Sequence, residues 1–356
     1  MENQSNKQRS IIGITLGDFN GIGPEVILKT LIDHEITNLF TPVIYASIKM
    51  MNKYRKHFDM PEDHQFLHIK NIDHIAHRKV NVINCWEEDY EIQPGQITNQ
   101  AGTCAYLSLK TCVEDLKKGS LDAIVTAPIN KQNIQSDQFK FIGHTEYLQE
   151  QFGGKDVLMF MVSDLLRIAV VSMHVPLTEV IKDITKEKIS SKLDLMISSL
   201  NKDFGISKPK IAVLGLNPHA GDGGTIGQEE LDIIKPLINE YKEKGQIVMG
   251  PFPADGFFAS DQYSKFDAIL AMYHDQGLIP FKMVAFESGV NFTAGLSAVR
   301  TSPDHGTAYD IAGQGIADES SFRQAIFTAC DVLKNRQLAA EARTDKPKPV
   351  LLRSER

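Results

Sequence analysis

The sequence predicts an α/β protein built on a largely parallel sheet. Short β-branched runs alternate along the chain with segments of helical spacing. The first such run leads through a glycine-rich turn into a helix that starts with proline. No internal repeat or low-complexity segment interrupts the alternation.

Taken in order, residues 11–16 read as a strand, 17–23 as a turn, and the residues from Pro24 as a helix. A strand follows at 42–46. Residues 101–116 place Ala105, Leu109, Cys112, Val113 and Leu116 at helical spacing. Residues 122–127 form a strand that ends in Ala127-Pro128. The runs 157–162 and 167–173 read as successive strands, joined as a hairpin across 163–166. A helix covers 186–200, with Thr185 placed to cap it. Then come a strand at 211–216, a helix at 228–241, a strand at 268–272 and a closing helix at 321–333.

The 356 residues suffice for a sizeable core, in two domains or one large one. With 38 basic and 45 acidic side chains the net charge is −7, which argues against a general nucleic-acid binder. An anionic ligand would need a few cations gathered in one cleft. No apolar run reaches the roughly 18 residues of a membrane span, and the segment MENQSNKQRS lacks the apolar stretch of a signal peptide. Cys85, Cys104, Cys112 and Cys330 form no CxxC pair and read as thiols in a reducing cytoplasm. The stretch 342–356, rich in Lys, Arg and Pro, reads as a solvated tail. His57, His64, His68, His74 and His77 sit in a polar stretch without a repeated HxxxH spacing and read as surface residues.

The nucleotide fingerprints are absent. The first glycine turn, GDFNGIG, has the wrong spacing for GxGxxG, and GDGGTIG at 221–227 misses it by one position. Each loop admits two readings: free N–H groups for an anion, or a tight turn that needs positive φ. Later histidines carry more information. His174, His219 and His274 each follow a clean strand pattern (RIAVVSM, IAVLGLNP and AILAMY), and ligands in parallel α/β sheets bind beyond the carboxyl ends of strands. Three converging imidazoles would make a metal site with an open position; the alternative is three unrelated histidines. Lys282, Asn291, Arg300 and Thr301, with His305, form a second cluster suited to phosphate or carboxylate.

At these residues the chain resembles the 4-hydroxythreonine-4-phosphate dehydrogenase family of pyridoxal phosphate biosynthesis, from Ile11 to about Val332. The motifs are ITLGDFNGIGPE, TAPINK, GHTEYL, MHVPL, LNPHAGDGGTIGQEE, GPFPAD, MYHDQG and GVNFTAGLSAVRTSPDHGTAYDIAGQG. Two departures stand out: Asp18-Phe19 occupies a place where family members often carry Glu-Pro, and the stretch 50–90 is longer and more polar.

The resemblance implies two α/β domains around a cleft, as in isocitrate and isopropylmalate dehydrogenases, which bind NAD without the Rossmann fingerprint. The implied division is 1–135 with 306–345, then 136–305, then a polar tail at 346–356. It makes His174, His219 and His274 ligands of one divalent metal, with zinc expected ahead of magnesium or cobalt. His144, Thr145, Lys282, Asn291 and Arg300 become substrate contacts. Asp255 and Asp275 become acidic groups near the substrate. Thr301, Asp304, His305, Gly306 and Thr307 fall near NAD or NADP. The implied partners are a small phosphorylated amino acid and a second copy of the chain, in a cytoplasmic homodimer whose metal site is shared across the interface. His174, following the hairpin, is the expected cross-subunit ligand.

The implied reaction oxidises 4-phosphooxy-L-threonine to 2-amino-3-oxo-4-phosphooxybutanoate, which loses CO2 to give 3-amino-2-oxopropyl phosphate. His144 and Asp275 are both candidates for the base. Three alternatives remain at this stage. One is a paralogue acting on 4-phospho-threonate, 4-phospho-erythronate or a cyclic diol. Another is a metal-dependent hydrolase or aldolase. The third is a non-catalytic sugar-phosphate binder.

Overall fold

The computed structural model describes residues 9–61, 65–153 and 156–344. His64 and the tail 346–356 lie outside the described residues. Twelve strands form one sheet. They are β1 (Ile11–Thr15), β2 (Thr41–Ala46), β3 (Phe66–Ile69), β4 (Val80–Asn84), β5 (Ala123–Thr126) and β6 (Leu158–Val162), followed by β7 (Arg167–Ser172), β8 (Lys210–Leu214), β9 (Ile247–Phe252), β10 (Ala268–Tyr273), β11 (Val290–Ala294) and β12 (Val299–Pro303). The helices are α1 (Gly23–Leu31), α2 (Ile48–His57), α3 (Asn99–Lys117), α4 (His144–Phe152) and α5 (Leu177–Asp183), then α6 (Lys186–Lys202), α7 (Lys235–Glu243), α8 (Ala254–Ala259), α9 (His274–Ala285) and α10 (Ser320–Thr344). Among the described residues no helix is long and apolar enough to cross a membrane.

The strand order is β3-β4-β2-β1-β5-β12-β11-β6-β7-β10-β8-β9. The flank from β3 to β12 is parallel throughout, as is the flank from β7 to β9. Antiparallel pairing is confined to the joints made by β11 and β6. The expected hairpin is one of these joints: Phe160 pairs with Ala169, and the Ser163 N–H donates to the Leu166 carbonyl at 2.9 Å. The sheet crosses the expected 136–305 division without a break, since β12 pairs in parallel with β5.

Side-chain parity sorts the core. One face of the sheet carries Ile12, Val125, Phe160, Val171, Val213 and Phe292 under α1, α6, α7 and α10. Burial of each such side chain stabilises the fold by about 1.5–3 kcal/mol. The opposite face is covered in two separate patches. Ile124 packs with Leu109 of α3 and Leu148 of α4; Ile168 and Ile269 pack with Leu278 and Phe281 of α9.

Most expected elements form. The Thr185 hydroxyl caps α6 by accepting the Lys188 N–H at 3.2 Å. The expected helix at 228–241 instead begins with a π turn, Glu230–Ile234, before α7. The closing helix α10 runs to Thr344, into the segment read as tail. In the polar stretch, His57, His68, His74 and His77 are exposed, yet that stretch also holds α2, β3 and β4. Its aromatic residues cover the first glycine turn. The buried Phe19 stacks on Tyr90 with ring centroids 6.5 Å apart, and the Tyr54 hydroxyl donates to the Phe19 carbonyl.

Candidate active site

A cavity of about 340 Å3 opens between the two patches, within the range of small-molecule sites. Strand alternation supplies its floor. Val125, Val299, Phe292 and Phe160 point to the continuous core, so Thr126, Arg300, Asn291, Met159 and Met161 point the other way. Its rim holds Lys131, His144, Thr145, Glu146, His174, His274, Lys282, Asp304, His305 and Gly306.

Arg300 is 3% exposed, and its partners are hydroxyls. Its Nε and Nη2 donate to Thr126 Oγ1 at 3.1 and 2.8 Å, and Nη1 donates to Thr293 Oγ1 at 3.0 Å. Burial lowers its pKa to about 10, with Glu146 opposing the shift, so it stays charged at neutral pH. A buried cation without a bonded anion costs several kcal/mol. An anionic ligand in the cavity would offset that cost. Lys282 Nζ lies 3.6 Å from Asp304 Oδ1 and 3.3 Å from its carbonyl. Burial raises the Asp304 carboxyl pKa while Lys282 opposes it. Lys131 is exposed at the rim and makes no ion pair among the described residues.

Three buried polar atoms of cavity-lining residues have no partner among the described residues: His144 Nε2, Asn291 Oδ1 and His305 Nε2. Each unmade bond costs roughly 1–3 kcal/mol, so together they point to a ligand that completes them. Burial, with Arg300 and Lys131 adding to it, holds His144 well below its usual pKa, and burial also lowers His305. Both imidazoles are therefore neutral at pH 7.

His174 follows β7, His274 follows β10 and His219 follows β8, three neighbouring parallel strands. The structure brings two of them together. The rings of His174 and His274 lie 5.5 Å apart between centroids, and His274 Nδ1 lies 2.7 Å from Asp275 Oδ1. Burial first, then Lys131 and His274, lower the His174 pKa. These are ligand-like features: burial favours the neutral His174 imidazole, and a carboxylate orients the His274 ring. His219 is exposed and does not line the cavity. Among the described residues no three His, Cys, Asp or Glu groups gather as a metal site. His174, the expected cross-subunit ligand, lies beside His274 of its own chain. His174 belongs with His274 in one chain, and His219 stands apart.

His219 rides on an unusual turn. Residues 219–224 all have positive φ, at 54° and 50° for His219 and Ala220 and 42° for Asp222. Left-handed geometry costs non-glycine residues about 1–2 kcal/mol each. The second glycine loop thus serves chain geometry, and so does the first. Gly17 has φ 68°, and a Cβ there would lie 2.2 Å from the Pro128 carbonyl. The Gly21 and Ile22 N–H groups are spent on the carbonyls of Asp18 and Thr307. The buried Asp18 carboxylate accepts from Asn133 Nδ2 at 2.6 Å and from the Tyr309 hydroxyl at 2.9 Å.

The remaining expected residues lie outside the cavity. Thr301 has the opposite parity to Arg300 and donates to the Ala325 carbonyl of α10 at 2.7 Å. Thr307 docks on the first glycine turn. Asp275 faces His274, and Asp255 is exposed on α8. Sequence reasoning passed over Lys131 and Glu146. Both lie inside motifs already singled out, TAPINK and GHTEYL, and Lys131 follows β5 as the histidines follow their strands.

A cation-lined cavity in a mostly parallel α/β sheet, with unpaired hydrogen-bonding groups on its wall, defines an enzyme of small anionic substrates. A sequence model described as pyridoxal phosphate biosynthetic protein PdxA matches residues 38–329. The 4-hydroxythreonine-4-phosphate dehydrogenase of Bacteroides thetaiotaomicron is 49% identical over 343 residues, 96% of this chain and 93% of that one. A protein of Oceanobacillus iheyensis, provisionally named as a D-threonate 4-phosphate dehydrogenase, is 37% identical over 91% of this chain and 98% of its own. The crystal structure of a Klebsiella pneumoniae 4-hydroxythreonine-4-phosphate dehydrogenase superposes with a TM-score of 0.78 at 32% identity, covering 92% of this chain and 99% of that one. The chain belongs to the PdxA family, whose members named here are dehydrogenases.

Proposed function

We propose that this protein oxidises the secondary alcohol of 4-phosphooxy-L-threonine with NAD or NADP. The β-keto acid that results loses CO2 to give 3-amino-2-oxopropyl phosphate. The observation that carries this is the buried Arg300, whose hydrogen bonds among the described residues all go to hydroxyls, on the floor of a cavity lined by residues with unpaired buried polar atoms. Arg300, Lys131, Lys282 and Thr145 hold the phosphate and carboxylate. His144 is the base. Its neutral Nε2 faces the cavity unbonded and takes the hydroxyl proton as hydride leaves the same carbon. Asp275 orients His274 and does not line the cavity.

His174 and His274, with His219 from a second copy of the chain, would hold a divalent ion, which would supply positive charge to stabilise a developing alkoxide. Zinc suits an all-imidazole set better than magnesium; cobalt is a workable substitute. The nicotinamide belongs beside Asp304, His305 and Gly306, with Thr307 linking that loop to the first glycine turn. A second copy of the chain fits the site's surroundings. Val175, Leu177 and Ile181 after His174, and Ile279, Met283 and Phe286 after His274, are large apolar side chains left 40–83% exposed. The four unpaired cysteines support a cytoplasmic setting.

The test is NAD+ and NADP+ reduction with 4-phosphooxy-L-threonine beside 4-phospho-threonate and 4-phospho-erythronate, with and without chelator. Turnover highest with the amino acid, and lost to chelator, is the expected result. Preference for 4-phospho-threonate would move the protein to the activity for which its Oceanobacillus relative is named. Chelator-sensitive turnover without nicotinamide would make it a hydrolase or aldolase.

A further inference from the structure

The left-handed turn at 219–224 does not stand unsupported. It wraps the carboxylate of Glu230, which is 1% exposed and sits in the π turn before α7. Glu230 Oε1 accepts the Asn217 N–H at 2.7 Å, and Oε2 accepts Asn217 Nδ2 at 2.9 Å. Glycine makes room for it twice: a Cβ on Gly221 would lie 2.6 Å from Oε2, and one on Gly215 3.1 Å from Oε1. Around this plug the Ala220 N–H donates to the Asn217 carbonyl and the Ile226 N–H to the Gly221 carbonyl. A π turn sets a side chain where an α-helix would not, and such turns recur beside functional sites.

The turn is also tied to the helix that His274 opens. Gln276 of α9 donates from Nε2 to the Gly215 carbonyl at 2.6 Å, and its Oε1 accepts the Met272 N–H at 2.7 Å. His274 opens α9, so the base of the His219 loop and the start of that helix are held in one frame.

We infer that Glu230 is the positioning residue for His219: its buried carboxylate fixes the left-handed turn that presents this imidazole to the partner subunit. The inference rests on the proposed shared metal site. Glu230 touches neither substrate nor metal, and its effect passes through Asn217 and the backbone of 219–224.

Zinc titration of the metal-free full-length protein by calorimetry tests this, independently of turnover. Glu230→Ala should bind zinc roughly 10–100-fold more weakly, the usual cost of losing a group that orients a ligand. Glu230→Gln, which keeps an acceptor for the Asn217 N–H, should restore most of that loss. If Glu230→Ala does not fold, Asn217→Ala decides, with the same direction of change expected. Wild-type zinc affinity in Glu230→Ala, or in Asn217→Ala where the first is unfolded, overturns the inference provided His219→Ala is weakened. Wild-type zinc affinity in His219→Ala overturns the shared-site reading itself, and the role of Glu230 falls with it.

Discussion

Arg300 rests its guanidinium on the Thr126 hydroxyl through two hydrogen bonds, at 2.8 and 3.1 Å, and no carboxylate is bonded to it. The pair joins β12 to β5 at the floor of the cavity, so a buried charge is stored where it strains the free protein.

That storage has a measurable signature. Arg300→Met should raise KM for the phosphorylated substrate by about one to two decades, the loss of a charge-assisted contact of roughly 1.5–3 kcal/mol. The ligand-free protein should meanwhile melt no lower than wild type, because an apolar side chain of similar length removes an unpaired buried charge. Steady-state kinetics and thermal melts on the same preparation check both halves. An unchanged KM excludes Arg300 from substrate binding.

Complementation distinguishes the ligand lent across the dimer. If His219 is that ligand, inactive His219→Ala protein mixed with inactive His174→Ala or His274→Ala protein should recover roughly one quarter of wild-type activity after free subunit exchange, by random pairing. His174→Ala mixed with His274→Ala should recover nothing, since every site then carries one lesion. Recovery in that last mixture would return the role to His174 or His274.

The neutral histidines set a pH slope. Burial lowers His144 and His305 below their usual values, so between those lowered values and about pH 6.5 the unfolded chain binds more protons than the folded one. Stability of the ligand-free protein should therefore fall as pH drops below 6.5 and recover above it. His144→Gln should flatten the slope in denaturant melts taken across this window. An equally steep slope in that variant would show that His144 does not couple folding to protons.

Gly17→Ala should destabilise the fold by roughly 1–3 kcal/mol or more through positive φ and the Pro128 carbonyl in its path. Gly119, also at positive φ but with open space around it, is the control and should lose less. Equal melting temperatures for the two variants would remove the steric argument.

Much of the scaffold was legible because its strands alternate against one apolar layer. β1, β5, β6, β7, β8 and β10 announce themselves in residues such as Ile12, Val125 and Val171. β11 and β12 do not, since Asn291, Thr293, Arg300 and Ser302 interrupt the apolar pattern, and three of these four side chains line the cavity. Two of the strands not read from the sequence thus carry the site, while β3, β4 and β9, also not read, lie away from it. The expected substrate contacts His144, Lys282 and Arg300 were legible through family motifs, and the structure gathers them around one cavity. The placement of His219 was not, because a run of left-handed residues leaves only scattered glycines as its trace.

The aromatic cover over Phe19 joins two sequence peculiarities into a single trait. The unusual dipeptide Asp18-Phe19 and the enlarged stretch 50–90 meet where Tyr90 stacks on the phenyl ring and the Tyr54 hydroxyl bonds the Phe19 carbonyl. Each segment thus seats the other, and a swap of either one with a relative should succeed only when both travel together.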